Sequence, residues 1–415
     1  MAVALAVRWL AQEAEALESR LTLVPRFAAT IPMVHESAPS DRAVRLADTI
    51  VDRSKRILHR EVRELARGLP RRAPTQHELS RAQADYQTLR ARFDALQTTV
   101  DIFADALTQR AEHKIGPLLR GLDMLSRDGL LTQPLLFTPP PLVCYLDQGI
   151  GGAIRRVFTN LPGAGPNGVA LVRIPRERLC GNGYASLLHE VGHQGAALLD
   201  LVGAYRRWLV AEVASGAIER AAGSYWIAKI SEVVADVWAC AKLGVTGTLG
   251  LFGVLGRTPR FTFSDNPQGP HPMPWLRAQI SVAFGAAAMP HALWNELLEL
   301  WTTLYPLRSA PKRARQLLEV VVPSVVRVGA GLALVRLPEL GGRNLRDVLG
   351  ADQVAPSALL PNLDALLSAT RSEGGSLQPC VALAGIGLAR HRGLVSPTEE
   401  NALIAHATRQ WAQKG

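Results

Sequence analysis

Aromatic residues are scarce in this chain. Phe, Trp and Tyr make up 6% of its 415 residues, so Leu, Ala and Val must supply most of any core. Cysteine is scarcer still. Four Cys in a chain of this length exclude a disulfide framework, and the expectation is reduced thiols, packed as small buried residues, in a cytoplasmic protein. Long apolar runs are also missing. Leu243–Gly256 is short and Gly-rich, and Val320–Val335 is broken by Pro323 and Arg327, so neither offers about 18 uninterrupted apolar residues. No transmembrane helix is expected, although the first run leaves peripheral membrane contact open. Arg8 interrupts the apolar N-terminus and acidic residues follow it, unlike a secretory signal. No internal repeat marks a solenoid.

What is present is a globular balance. Hydrophobic residues are 48% and charged residues 20%, which excludes a disordered chain, a collagen-like fibre or a charged rod. The net charge of +10, from 46 Lys+Arg against 36 Asp+Glu, is diffuse. The basic cluster Arg308–Gln316 has no interleaved aromatics, so it reads as a solvated face and no specific nucleic-acid binding is expected.

Residues 1–130 read as an N-terminal helical domain. Asp41–Leu69 and Gln76–Arg110 both place apolar residues at helical spacing, and Pro70–Pro74 separates them, which predicts a helical hairpin. Residues 131–300 open with strand candidates LVCYLD and VALVRIP around Gly/Pro-rich turns, then return to helical patterns. Residues 301–415 read as a C-terminal helical region. The fold class is therefore α+β and predominantly helical.

Chemistry concentrates in GNGYASLLHEVGHQGAALLDL. His189, Glu190 and His193 form H-E-x-x-H, a pattern that arises by chance on the order of once in a hundred such chains. Four residues apart on a helix, the two imidazoles share a face and can bind one metal ion. Glu190 lies about 100° around the helix, near enough to serve a water without being a ligand. Asn182 and Ser186 are candidate caps for this helix. A catalytic zinc needs a third ligand. Glu232 and Asp236, in SEVVAD, share a face of a second helix, so Glu232 can complete a His2Glu set and Asp236 can orient a ligand histidine. Ala235, Gly192 and Gly195 would let the two helices approach closely.

HEVGH followed by SEVVAD resembles the gluzincin zinc metallopeptidases. The resemblance implies a zincin-like catalytic core, Zn²⁺ held by His189, His193 and Glu232, Glu190 as general base, Asp236 behind the ligands, and a peptide or protein substrate. It also implies that VALVRIPRERL forms a sheet edge that pairs with an extended substrate. HPMPWLR resembles the HP…R segment of the gluzincin family that includes the CAAX prenyl protease. It makes His271 and Arg277 candidate donors to the developing oxyanion, with Tyr184 and Tyr225 in reserve. The metzincin pattern fails at Ala196 and Leu199. The competing expectation is a helical binding or scaffold protein whose zinc site is structural or degenerate. Glu190 discriminates, since a structural site has no need of a carboxylate there.

Overall fold

The computed structural model describes residues 1–69, 74–147, 151–373 and 377–414. It is 72% helical with a small sheet, a predominantly helical α+β chain. Two compact units are present. The first comprises Met1–Leu119, Pro140–Tyr145 and Arg155–Leu171; the second comprises Arg120–Pro139, Leu146–Ile154 and Val172–Gly415.

In the first unit, α1 (Ala2–Thr22), α2 (Asp41–Gly68) and α3 (Gln76–Thr108) pack pairwise. The hairpin expected from the sequence is α2 and α3, and α1 adds a third member. Local chemistry sets their starts. The Ser40 hydroxyl accepts from the Ala43 amide, and Thr75 and Glu78 form a reciprocal capping box. The proline-rich break expected at 70–74 lies outside the described residues except for Pro74. Ala43, Ala47, Val51, Leu58 and Val62 form the buried stripe of α2 and join Leu10, Leu17, Phe93 and Phe103 in one core. That core also takes in Val143, Leu161, Val169 and Leu171 from the β-region.

The β-region has β1 (Leu142–Asp147), β2 (Ala153–Arg155), β3 (Asn160–Leu161), β4 (Gly165–Pro166) and β5 (Ala170–Pro175). β3 and β4 pair antiparallel, and the larger sheet has the order β1-β5-β2. This corrects one expectation. The strand before the H-E-x-x-H helix is β5, and it is central, not an edge. Five of its six residues are buried, so both faces of the sheet are covered along this strand.

In the second unit, a 3-10 turn, Gly181–Tyr184, leads into α4 (Ala185–Leu198). Neither expected cap operates: the helix has no side-chain cap, and the Ser186 hydroxyl donates to the Gly183 carbonyl. α5 (Leu201–Ala214), α6 (Arg220–Leu243) and α7 (Val245–Leu255) follow, then α8 (Pro274–Ala288) and α9 (Leu293–Leu304). A Cβ on Gly195 would stand 2.3 Å from the Trp238 ring, so α4 meets α6 along a seam without side chains on one side. Trp238 is fully buried and its indole N–H donates to the Gly129 carbonyl.

One helical run, Lys312–Leu334, is long and apolar enough by length and composition to cross a membrane, with mean hydropathy 1.8 and 44% of its window buried. The sequence reading expected no such run. Pro323 does not end it; the residue sits in a 3-10 turn, Val322–Ser324, between α10 (Lys312–Val321) and α11 (Val325–Leu334). A buried core helix meets the same criterion, and Val325, Val328, Gly329 and Leu332 are buried. Cys144, Cys240 and Cys380 are buried as expected, whereas Cys180 is exposed.

Candidate metal centre

α4 and α6 bring the two motifs together. The His189, His193 and Glu232 side chains place one potential ligand atom each within 4.8 Å of one another. The imidazole planes of His189 and His193 are nearly perpendicular at 86°, with centroids 4.8 Å apart. His189 Nε2 is 3.4 Å from Glu232 Oε2, and His193 Nε2 is 3.6 Å from Glu232 Oε1. Glu232 is 7% exposed. Its Oε2 atom is buried yet makes no hydrogen bond of acceptable geometry. Two imidazoles and a buried, incompletely satisfied carboxylate leave a position that a cation would satisfy. Burial alone would raise the Glu232 carboxyl, but His189, His193 and His271 hold it far below the ordinary carboxylate range.

Behind the ligands lies a buried chain of charge. His189 Nδ1 is 2.8 Å from Asp236 Oδ1. Arg277, on α8, donates from Nε to Asp236 Oδ2 at 2.8 Å and from Nη2 to Oδ1 at 2.7 Å. Asp236 is 3% exposed and Arg277 8%. Burial would raise Asp236, but the guanidinium and His189 bring it below its ordinary value. Burial would lower His189, but Asp236 and Glu232 push it up to about 9. In the neutral form that a metal ion would require, His189 gives its Nδ1–H to the Asp236 carboxylate and keeps the lone pair of Nε2 on the Glu232 side.

Glu190 projects from α4 into a cavity of about 150 Å³, shared with His189, His271, Gly247, Leu251 and Val254. Burial raises its carboxyl pKa, against the lowering influence of His189 and His193. His271 is the outermost member. Its side chain is 58% exposed and its Nε2 is 3.1 Å from Glu232 Oε2.

The sequence-predicted residues His189, Glu190, His193, Glu232, Asp236, His271 and Arg277 therefore gather at one place. Two details differ from expectation. Arg277 lines the cavity but commits its Nε and Nη2 donors to Asp236. The reserve hydroxyls are also engaged: Tyr184 donates to the Leu179 carbonyl, and Tyr225 contacts Asp265 and Met273. Sequence reasoning missed Gly152. A Cβ there would stand 2.8 Å from Glu190 Oε1, so a glycine backbone closes against the carboxylate. The only signal was the Gly-rich stretch before β2. It also missed Lys229, which carries no motif. Comparison of the chain with family models, curated proteins and solved structures returns no match.

Proposed function

We propose that the chain is a zinc-dependent peptidase on a zincin-like scaffold, with Glu190 as its general base. The observation that carries this reading is the convergence of His189, His193 and Glu232 from two helices, with Glu190 beside them in a cavity wall. A donor set of two imidazoles and one carboxylate suits zinc. Zinc in such a set lowers the pKa of water toward about 7 and polarises a carbonyl.

The chain's own groups perform the rest. Glu190 takes the proton from the attacking water and delivers it to the leaving amine. Its burial makes the carboxylate a better proton acceptor than one in water. His271, exposed at the mouth, is placed to donate to a carbonyl oxygen as negative charge develops there. Arg277 and Asp236 orient His189 through the buried hydrogen bonds between them. Gly247, Gly250, Leu251 and Val254 suit the cavity to one apolar side chain of a peptide. A purely structural site would have no use for Glu190 in that cavity, which weighs against the scaffold alternative.

The test joins metal analysis to peptide hydrolysis. Wild type and Glu190→Gln should each hold one zinc per chain, and Glu190→Gln should lose about 10²–10⁴-fold in kcat. His193→Ala should lose the metal. Full zinc occupancy in His193→Ala, or unchanged turnover in Glu190→Gln, would overturn the proposal.

A further inference from the structure

One stripe of α6 carries more than the ligand Glu232 and its neighbour Asp236. Tyr225, Lys229, Glu232 and Asp236 follow one another at intervals of four, three and four residues, so their side chains leave the same side of the helix. Each meets the segment between residues 265 and 277. The Tyr225 hydroxyl accepts from the Met273 amide at 2.7 Å and lies 3.2 Å from Asp265 Oδ1. The Lys229 ammonium donates to the Asn266 carbonyl at 2.8 Å, to the Pro267 carbonyl at 3.5 Å and to the Gly269 carbonyl. Glu232 meets His271, and Asp236 meets Arg277.

Lys229 is the unusual member. The residue is 2% exposed, and the bonds of its ammonium go to three carbonyls of one loop. Burying an ammonium is costly, and carbonyl dipoles repay it only when all three donors are used. That geometry fixes the loop at three points, residues 266, 267 and 269, shortly before His271. The His271 side chain is mostly exposed, so packing does little to hold it, and its place beside Glu232 depends on the backbone that carries it.

We propose that Lys229, assisted by Tyr225, is a positioning residue for His271: its ammonium clamps the Asn266, Pro267 and Gly269 carbonyls and thereby sets the imidazole against the metal-binding carboxylate. The kinetic part rests on the peptidase reading; the structural part does not.

The experiment uses the full chain and four variants: Lys229→Met, Lys229→Arg, Tyr225→Phe and His271→Ala. Hydrogen–deuterium exchange is read over residues 264–273 and over α4. Lys229→Met should speed exchange in the loop by about tenfold or more while α4 keeps its protection, and Lys229→Arg should restore much of it. Zinc content should stay at one per chain. With peptide substrate, Lys229→Met should lower kcat as His271→Ala does with little change in KM, and the double variant should lose no more than either alone. Wild-type exchange in the loop of Lys229→Met, or fully additive kinetic losses, would overturn the proposal. If Lys229→Met does not fold, Tyr225→Phe decides by the same loop amides. An inactive wild type would remove the peptidase reading, and the exchange result would still decide whether Lys229 holds the loop.

Discussion

Asp236 and Arg277 are both buried and joined by two hydrogen bonds, so separating them is costly in either direction. Arg277→Met would leave a carboxylate in the interior with only His189 to answer it. Such a break costs about 3–5 kcal/mol, which chemical denaturation of the two proteins would show. The same variant should weaken metal binding by about 10–100-fold, measured by competition with a chelator, because His189 loses the group that orients it. Glu400 is more weakly paired. It is 5% exposed, its Oε1 has no hydrogen bond, and Arg390 Nε stands 3.7 Å from its Oε2; burial raises its pKa by more than that guanidinium lowers it. The folded chain then binds this proton more tightly than the unfolded chain, so stability is lost as pH rises from the ordinary value near 4.5 through the raised one. Glu400→Gln should therefore melt higher than wild type at pH 7, with the difference vanishing below pH 4 in paired thermal scans.

At the scale of elements, the seam between α4 and α6 holds the centre together. Gly195→Ala forces a methyl into the Trp238 ring, and overpacking of this kind costs about 1–3 kcal/mol. Calorimetry should show that loss, and a metal-binding assay should show weaker binding because His193 lies two residues away on the same helix. These two helices were legible in the sequence because their chemistry is local: His189 and His193, like Glu232 and Asp236, declare a shared face through spacing alone. His271 and Arg277 were legible only through resemblance, and the finer role of Arg277 was not. Nothing local reveals that its guanidinium turns to a carboxylate 41 residues earlier. The position of β5 was misread for the same reason, since strand order is a matter of distant pairing. Its near-continuous apolar run, ALV before Arg173 and Ile174, was the available hint of a central strand. Lys229 was illegible because its partners are carbonyls, which every residue has.

At the scale of the whole molecule, the first unit is not a detachable N-terminal block. Val143, Leu161, Val169 and Leu171 belong to its core although they follow α3 by many residues. Deleting residues 1–119 would strip these side chains of their partners. The shortened chain should bind a hydrophobic dye and sediment as aggregate, whereas a monodisperse, dye-silent product would show that the β-region closes its own core. The diffuse +10 charge does not protect against this outcome, because the uncovered surface is apolar.

The buried chain from His189 through Asp236 to Arg277 also has a consequence in time. Asp236 follows His189 by 47 residues, and Arg277 follows Asp236 by 41. At about 5–20 residues per second, synthesis delivers the guanidinium on the order of ten seconds after the first imidazole. Glu232 and Asp236 arrive about halfway through that interval, and until Arg277 follows them the buried Asp236 lacks the guanidinium that pins it. The complete arrangement around the two imidazoles, with Asp236 held by Arg277, therefore exists only once α8 has been made.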